Sequence, residues 1–193
     1  MPRNIEIKAR IDSVETLLPR ARALADHDAE LIDQDDSFFA VPHGRLKLRQ
    51  FADGTAELIH YHRPDSGEAK ASDYVRVPVP EPAALREALA RGCGLRGRVR
   101  KQRWLLLAGQ TRIHLDRVEG LGDFMELEVV LRDGQDDATG AAIAEDLMRA
   151  LGLAEAPRLA GAYLDLLAAS PTLPPSAPPP ALSGDAVQAP PRR

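Results

Sequence analysis

The sequence predicts an α+β protein: about eight mostly antiparallel strands with three or four helices. Three observations predict it. Segment after segment alternates polar and apolar residues with period two, the spacing of a strand with one buried face. Short turn signals such as Pro42-His43-Gly44 and Asp53-Gly54 separate these segments. Between them lie stretches with helical spacing.

The first strand is Asn4 to Arg10. Asn4, Glu6, Lys8 and Arg10 point one way, and Ile5, Ile7 and Ala9 the other. Asp12-Ser13 offers an N-cap for a helix that buries Val14, Leu17, Leu18, Ala21 and Leu24, which Pro19 should kink or delay. Gln34 to Val41 reads as a short strand. Arg45 to Arg49 sets Arg45, Lys47 and Arg49 on one face. In the strand Ala56 to Arg63, Glu57, Ile59, Tyr61 and Arg63 share a face opposite Leu58, His60 and His62. The two histidines have metal-like spacing but no third ligand, so they read as surface residues near a strand end. Lys70, Ser72, Tyr74 and Arg76 again share one parity.

Pro80 to Arg91 is a helix with proline and acidic residues at its start and Gly92 after its end. Val99 to Leu107 is a strand with Lys101 and Arg103 on one face and Arg100, Gln102 and Trp104 on the other. Arg112 to Val130 is a hairpin turned at Gly120 and Gly122. It gathers Asp116, Glu126 and Glu128 on one face, the oxygen set a hard divalent cation needs, although a solvated polar face would look the same. Asp137 to Leu151 is amphipathic, with Ala141, Ile143 or Ala144, Leu147, Met148 and Leu151 inward. Leu159 to Leu167 is a short helix burying Tyr163, Leu164 and Leu167. Residues 169–193 form a Pro-rich tail without periodicity, expected to be disordered, and residues 1–168 form one domain.

Composition narrows the function. A net charge of −4 gives no reason to expect nucleic acid or an anionic membrane as partner, and 4% aromatics argue against a stacking platform for single strands. One cysteine, Cys93, excludes an internal disulfide. The N-terminal residues lack the apolar run of a signal peptide, and no stretch is long and apolar enough for a membrane helix, so a cytoplasmic protein is expected.

Six strands carry ionisable groups of both signs on one face and apolar residues on the other. A flat sheet would leave that face in solvent. A closed barrel would make it a polar lumen with helices packed outside. The basic residues Lys8, Arg45, Lys47, Arg49, Arg63, Lys70, Lys101 and Arg103 outnumber the carboxylates Glu6, Asp116, Glu126 and Glu128. Enclosed charge needs partners, so the surplus points to a strongly anionic ligand. A polyphosphate with a divalent metal suits both halves: the cations hold phosphate oxygens, and the carboxylates hold the metal.

The N-terminal strand resembles the ExExK signature of the CYTH superfamily, the triphosphate tunnel metalloenzymes. The RLKLR strand, the Arg63-Pro64-Asp65 step, the Lys70-Ser72-Tyr74 segment, the VRKQR strand and HLDRVEGLGDFMELE match further motifs, over about residues 3 to 168. The resemblance implies an eight-stranded antiparallel barrel forming a tunnel. It implies catalytic roles for Glu6, Lys8 and Asp116, and Mg²⁺ or Mn²⁺ held by Glu6, Asp116, Glu126 and Glu128. It implies phosphate binding by Lys8, Lys47, Arg49, Arg63, Lys70, Lys101 and Arg103. Asn4 departs from the pattern, standing where the signature has its first Glu. Ile59 stands where a lysine is expected in the family's triphosphatases, which tilts the reading toward class IV adenylate cyclases. The implied substrate is a triphosphate-containing small molecule: ATP for a cyclase, tripolyphosphate or thiamine triphosphate for a hydrolase, either class for a non-catalytic binder. Pairing through outer helices into a homodimer is also implied.

Overall fold

The computed structural model describes residues 3–62 and 73–169. Arg63, Lys70, Ser72 and the Pro-rich stretch from residue 170 lie outside the described residues. The elements are β1 (Asn4–Arg10), α1 (Val14–Leu24), β2 (Glu30–Phe39), β3 (Arg45–Phe51), β4 (Ala56–His62), β5 (Asp73–Pro78), α2 (Pro82–Gly92), β6 (Leu95–Ala108), β7 (Thr111–Val118), β8 (Gly122–Val130), α3 (Asp137–Ala150) and α4 (Tyr163–Ala169). The eight strands form one sheet in the order β1-β8-β7-β6-β2-β3-β4-β5, and every pairing is antiparallel. The sheet curls into a half-barrel. Among the described residues its outer strands β1 and β5 are not paired with each other.

Period-two alternation sorts the two faces as the sequence predicts. On the convex face Ile5, Ile7, Ile113, Leu115, Met125, Leu127 and Val129 pack against Val14, Leu17 and Ala21 of α1 and Ala144 and Met148 of α3. Ser13 caps α1, its Oγ accepting from Thr16 N at 3.2 Å, and the helix starts at Val14 and runs through Pro19. The expected late start does not occur, because the cap already fixes the first turn. In α3 the inward residues are Gly140, Ala144 and Met148 rather than Ala141. A Cβ at Gly140 would come within 2.6 Å of both Ile5 and Leu131, so a side chain there would push the helix off the sheet. A third cluster sets Leu85 and Leu89 of α2 over Phe39, Leu48 and Ala56. Glu81 is the N-cap of α2 and no acidic residue lies in its first turn, so that expected support is absent.

Two strands are longer than the sequence suggests. β2 begins at Glu30 and β6 at Leu95, because each extends along its neighbour where alternation is weak. The helices do not all pack outside. Tyr163 of α4 packs on the concave side with Phe38, Val99, Val118, Leu121 and Phe124, closing one end of the polar face with an apolar plug. Among the described residues no helix is long and apolar enough to cross a membrane.

Candidate functional site

The concave face encloses a cavity of about 400 Å³ lined from every strand. β1 contributes Glu6 and Lys8; β8 contributes Glu126 and Glu128; β7 contributes Arg112 and His114. From β6 come Lys101 and Arg103, from β2 Gln34 and Asp36, from β3 Lys47 and Arg49. β4 and β5 add Glu57, Ile59, Tyr61, Tyr74 and Arg76. Most of the described residues that the sequence places on the lumen face line this cavity, while Arg45 and Asp116 do not.

Two clamps of the same design dominate the cavity. On β3, Lys47 and Arg49 grip Asp36 of the neighbouring β2: Lys47 Nζ lies 2.8 Å from Oδ2, and the Arg49 guanidinium donates to both oxygens at 2.7 Å. On β6, Lys101 and Arg103 grip Asp116 of β7. Lys101 Nζ lies 2.7 Å from Oδ2, and Arg103 donates to Oδ1 at 2.6 Å and Oδ2 at 2.7 Å. In each case the arginine stands directly opposite the aspartate in the strand register, Arg49 with Asp36 and Arg103 with Asp116. A Lys-x-Arg strand keeps both cations on one face, and the facing carboxylate holds them in place where they are poorly hydrated. Bidentate pairing leaves other guanidinium donors for a ligand.

Burial alone would raise both aspartate pKa values, but Arg49 and Lys47 hold Asp36 far below the usual carboxylate range. Arg103 and Lys101 do the same for Asp116. The lysines shift the other way. Burial, reinforced by Arg49, brings Lys47 down to about 8, and burial reinforced by Arg103 brings Lys101 down to about 7. Burial likewise lowers His114. Burial and the Asp116 charge push Tyr163 well up, so its phenol stays a proton donor. That phenol donates to Asp116 Oδ2 at 3.0 Å, and the ring lies 4.4 Å from Lys8 Nζ and 5.0 Å from Lys101 Nζ.

The remaining carboxylates lie on β1 and β8. Glu126 is 3.5 Å from Lys8, 3.3 Å from Arg103 and 3.6 Å from His114 Nδ1. Burial would raise its pKa, but Lys8 and the His114 and Arg103 contacts bring it well below normal. Glu128 pairs with Arg112 at 3.1 Å and accepts from the Asn4 side-chain amide. It stands directly opposite Glu6.

Asp116 shares the concave face with Glu126 and Glu128, but its nearest partners are cations and a phenol. Asp116 lies opposite Phe124, and its oxygens are taken by Lys101, Arg103 and Tyr163. Among the described residues no group of three or more histidine, cysteine, aspartate or glutamate side chains is arranged to hold a metal. Glu6 and Glu128 do fit a hard cation. Two opposed carboxylates repel unless a cation lies between them, and the buried Asn4 Oδ1 beside them has no hydrogen-bond partner. Two carboxylates plus substrate oxygens suffice for Mg²⁺. His60 and His62 lie on the outer face, exposed, and Cys93 is exposed.

Asp36 and Tyr163 are site residues that sequence reasoning missed. Asp36 follows Asp35 at a strand whose start was unclear, so nothing in the sequence marked which of the two faces inward. Glu57 and Asp36 together shrink the apparent surplus of positive charge. Arg45 leaves it altogether, pairing with Asp165 of α4 at 2.8 Å.

A CYTH domain model matches residues 2–163. The chain belongs to the CYTH family. Enzymes of this family process triphosphates and generally depend on a divalent metal. Among solved structures, the chain is similar to the PH1012 protein of Pyrococcus horikoshii OT3, with 26% identity and a TM-score of 0.76, covering 85% of this chain and 99% of that one. A conserved hypothetical protein of Pyrococcus furiosus matches at 23% identity and a TM-score of 0.73, covering 84% and 99%. A proposed adenylate cyclase of Vibrio parahaemolyticus shares the fold at 21% identity and a TM-score of 0.70, covering 86% and 98%. Among curated proteins none matches the chain.

Proposed function

We propose that this CYTH protein is a divalent-metal-dependent enzyme acting on a triphosphate, of the adenylate cyclase type that converts ATP to cyclic AMP and pyrophosphate. The observation that carries the reading is the pair of Lys-x-Arg clamps facing the Glu6, Glu126 and Glu128 side of one cavity. Lys47, Arg49, Lys101 and Arg103 would bind successive phosphates, and Lys8 would reach the same chain from β1. Asp36 and Asp116 orient the clamps; Asp116 acts on the phosphates through Lys101 and Arg103. Glu6 and Glu128 would hold Mg²⁺ or Mn²⁺, with Glu126 steadying Lys8 and Arg103. A bound cation would draw charge from the phosphate oxygens and acidify the attacking hydroxyl. In the cyclase the ribose 3′-oxygen forms a bond to the α-phosphorus, the bond to the β-phosphate oxygen breaks, and the hydroxyl proton leaves to solvent. The cationic clamps stabilise charge developing on the leaving pyrophosphate.

A second reading, a triphosphatase for tripolyphosphate, thiamine triphosphate or a nucleoside triphosphate, is favoured by the clamps themselves, which need nothing but phosphate. In favour of the cyclase is Ile59, buried against the cavity opposite Lys47. The test is one incubation of the protein with Mn²⁺ and ATP, tripolyphosphate or thiamine triphosphate, with products resolved by chromatography. Cyclic AMP with pyrophosphate supports the cyclase. Inorganic phosphate without cyclic AMP moves the protein to the hydrolases. Binding without any product leaves a non-catalytic triphosphate binder.

A further inference from the structure

The chain has three tyrosines, and all three line this one cavity. Tyr163 has its phenol on Asp116 and its ring against Phe124, with centroids 5.0 Å apart, and against two ammonium groups. Tyr61 and Tyr74 belong to two adjacent strands. They stand directly opposite each other on β4 and β5, both half-buried, on the wall that lies beyond the β3 clamp. Ile59 continues that wall as an apolar floor. Lys47 Nζ is 5.7 Å from the centre of the Tyr61 ring, and the Arg76 guanidinium is 5.8 Å from that of Tyr74. The aromatic wall is therefore continuous with the phosphate clamp.

We propose that Tyr61 and Tyr74, over Ile59, seat the flat organic ring of the substrate, so that the preferred ligand class is a ring-bearing triphosphate ester rather than bare tripolyphosphate. The inference rests on the triphosphate reading above. A flat π-system gains from contact with tyrosine rings and apolar surface; an inorganic chain gains nothing from either. Polar phenols at the rim of an apolar wall suit a heteroaromatic ring, whose edge forms hydrogen bonds while its face is apolar. At two positions of β4 that face the cavity beside the β3 clamp, the side chains are Ile59 and Tyr61 rather than cations.

The experiment is calorimetric titration of ATP, thiamine triphosphate and tripolyphosphate, each with Mn²⁺, into the full chain and into Tyr61→Leu, Tyr74→Leu, Tyr61→Phe and Tyr74→Phe. The leucine variants should weaken the better of the two esters about tenfold or more, the usual effect of losing a base-stacking ring. They should leave tripolyphosphate within about twofold, and the phenylalanine variants should restore most of the loss. Equal losses for ester and tripolyphosphate, or none for the ester, would overturn the assignment. So would wild-type protein that binds tripolyphosphate as well as either ester. If wild type binds none of the three, the triphosphate reading itself fails, and this inference with it. Unchanged tripolyphosphate affinity in each leucine variant also shows that the variant is folded.

Discussion

Glu6 and Glu128 stand directly opposite each other across β1 and β8, two carboxylates on the lumen face of adjacent strands. Like charges directly opposite destabilise a strand pair, and Arg112, 3.1 Å from Glu128, offsets part of that repulsion. Mn²⁺ should therefore raise the melting temperature of the protein, since it binds a site that only the folded chain assembles. Glu6→Gln should remove most of that rise. An undiminished Mn²⁺ response in this variant would place the metal elsewhere.

Asn4 sharpens the same point. It is 1% exposed, its amide is bonded to Glu128, and its carbonyl oxygen has no hydrogen-bond partner. Asn4→Glu would exchange a neutral neighbour of Glu128 for a third carboxylate. The metal-free protein should lose about 1–3 kcal/mol through a lost hydrogen bond and added repulsion. Its Mn²⁺ affinity should rise. Calorimetry showing unchanged affinity would separate Asn4 from the metal.

Lys47 gives the clamps a pH dependence. Its pKa falls from the ordinary 10.5 to about 8, through burial and then the Arg49 charge. Between these two values the unfolded chain holds a proton that the folded chain has released. The lysine's penalty on stability is thus full below pH 8 and is relieved as pH rises toward 10.5. Phosphate binding runs the other way, because an anion favours the ammonium form. Tripolyphosphate should bind with proton uptake just above pH 8, and its affinity should fall as pH rises further. Titration in two buffers of different ionisation heat measures the uptake, and a value of zero would remove Lys47 from the phosphate site.

Asp36 should prove structural and functional together. Asp36→Asn leaves Lys47 and Arg49 facing each other without their counter-ion, and breaking a buried pair typically costs about 3–5 kcal/mol. Tripolyphosphate supplies that missing charge. It should therefore raise the melting temperature of the variant by more degrees than that of the wild type. A smaller rise in the variant would mean that the β3 cations need Asp36 to be positioned for phosphate at all.

The faces of the sheet were legible because period-two alternation is strict in β1, β3, β4 and β7. Which carboxylate meets which cation was not. Parity places Asp116 and Glu126 on one face, but register sets Asp116 opposite Phe124 and within reach of Arg103. Register depends on strand starts, and the starts of β2 and β6 lie in stretches where alternation weakens. Tyr163 was legible only as a buried residue. Its place on the concave side follows from how the segment after α3 crosses back over the sheet, where Leu159 N bonds to Lys8 O at 2.8 Å. Nothing local to α4 encodes that crossing.

Tyr163 itself yields a prediction that separates its ring from its hydroxyl. The ring lies against Lys8, Lys101 and Phe124, and the hydroxyl donates to Asp116. Tyr163→Phe keeps the ring and removes one hydrogen bond to a charged group, worth about 1.5–3 kcal/mol. Because Lys101 and Arg103 still hold Asp116, the clamp should stay assembled, with the Michaelis constant for the triphosphate raised only a few-fold. Tyr163→Ala removes the plug as well, at a cost of about 3–5 kcal/mol, and leaves Lys8 and Lys101 open to water at that end. Turnover should then fall by more than the Michaelis constant rises, since hydrated ammonium groups stabilise developing charge less well. Equal effects of the two substitutions on both constants would assign the whole contribution of Tyr163 to its hydroxyl and leave α4 no part in closing the cavity.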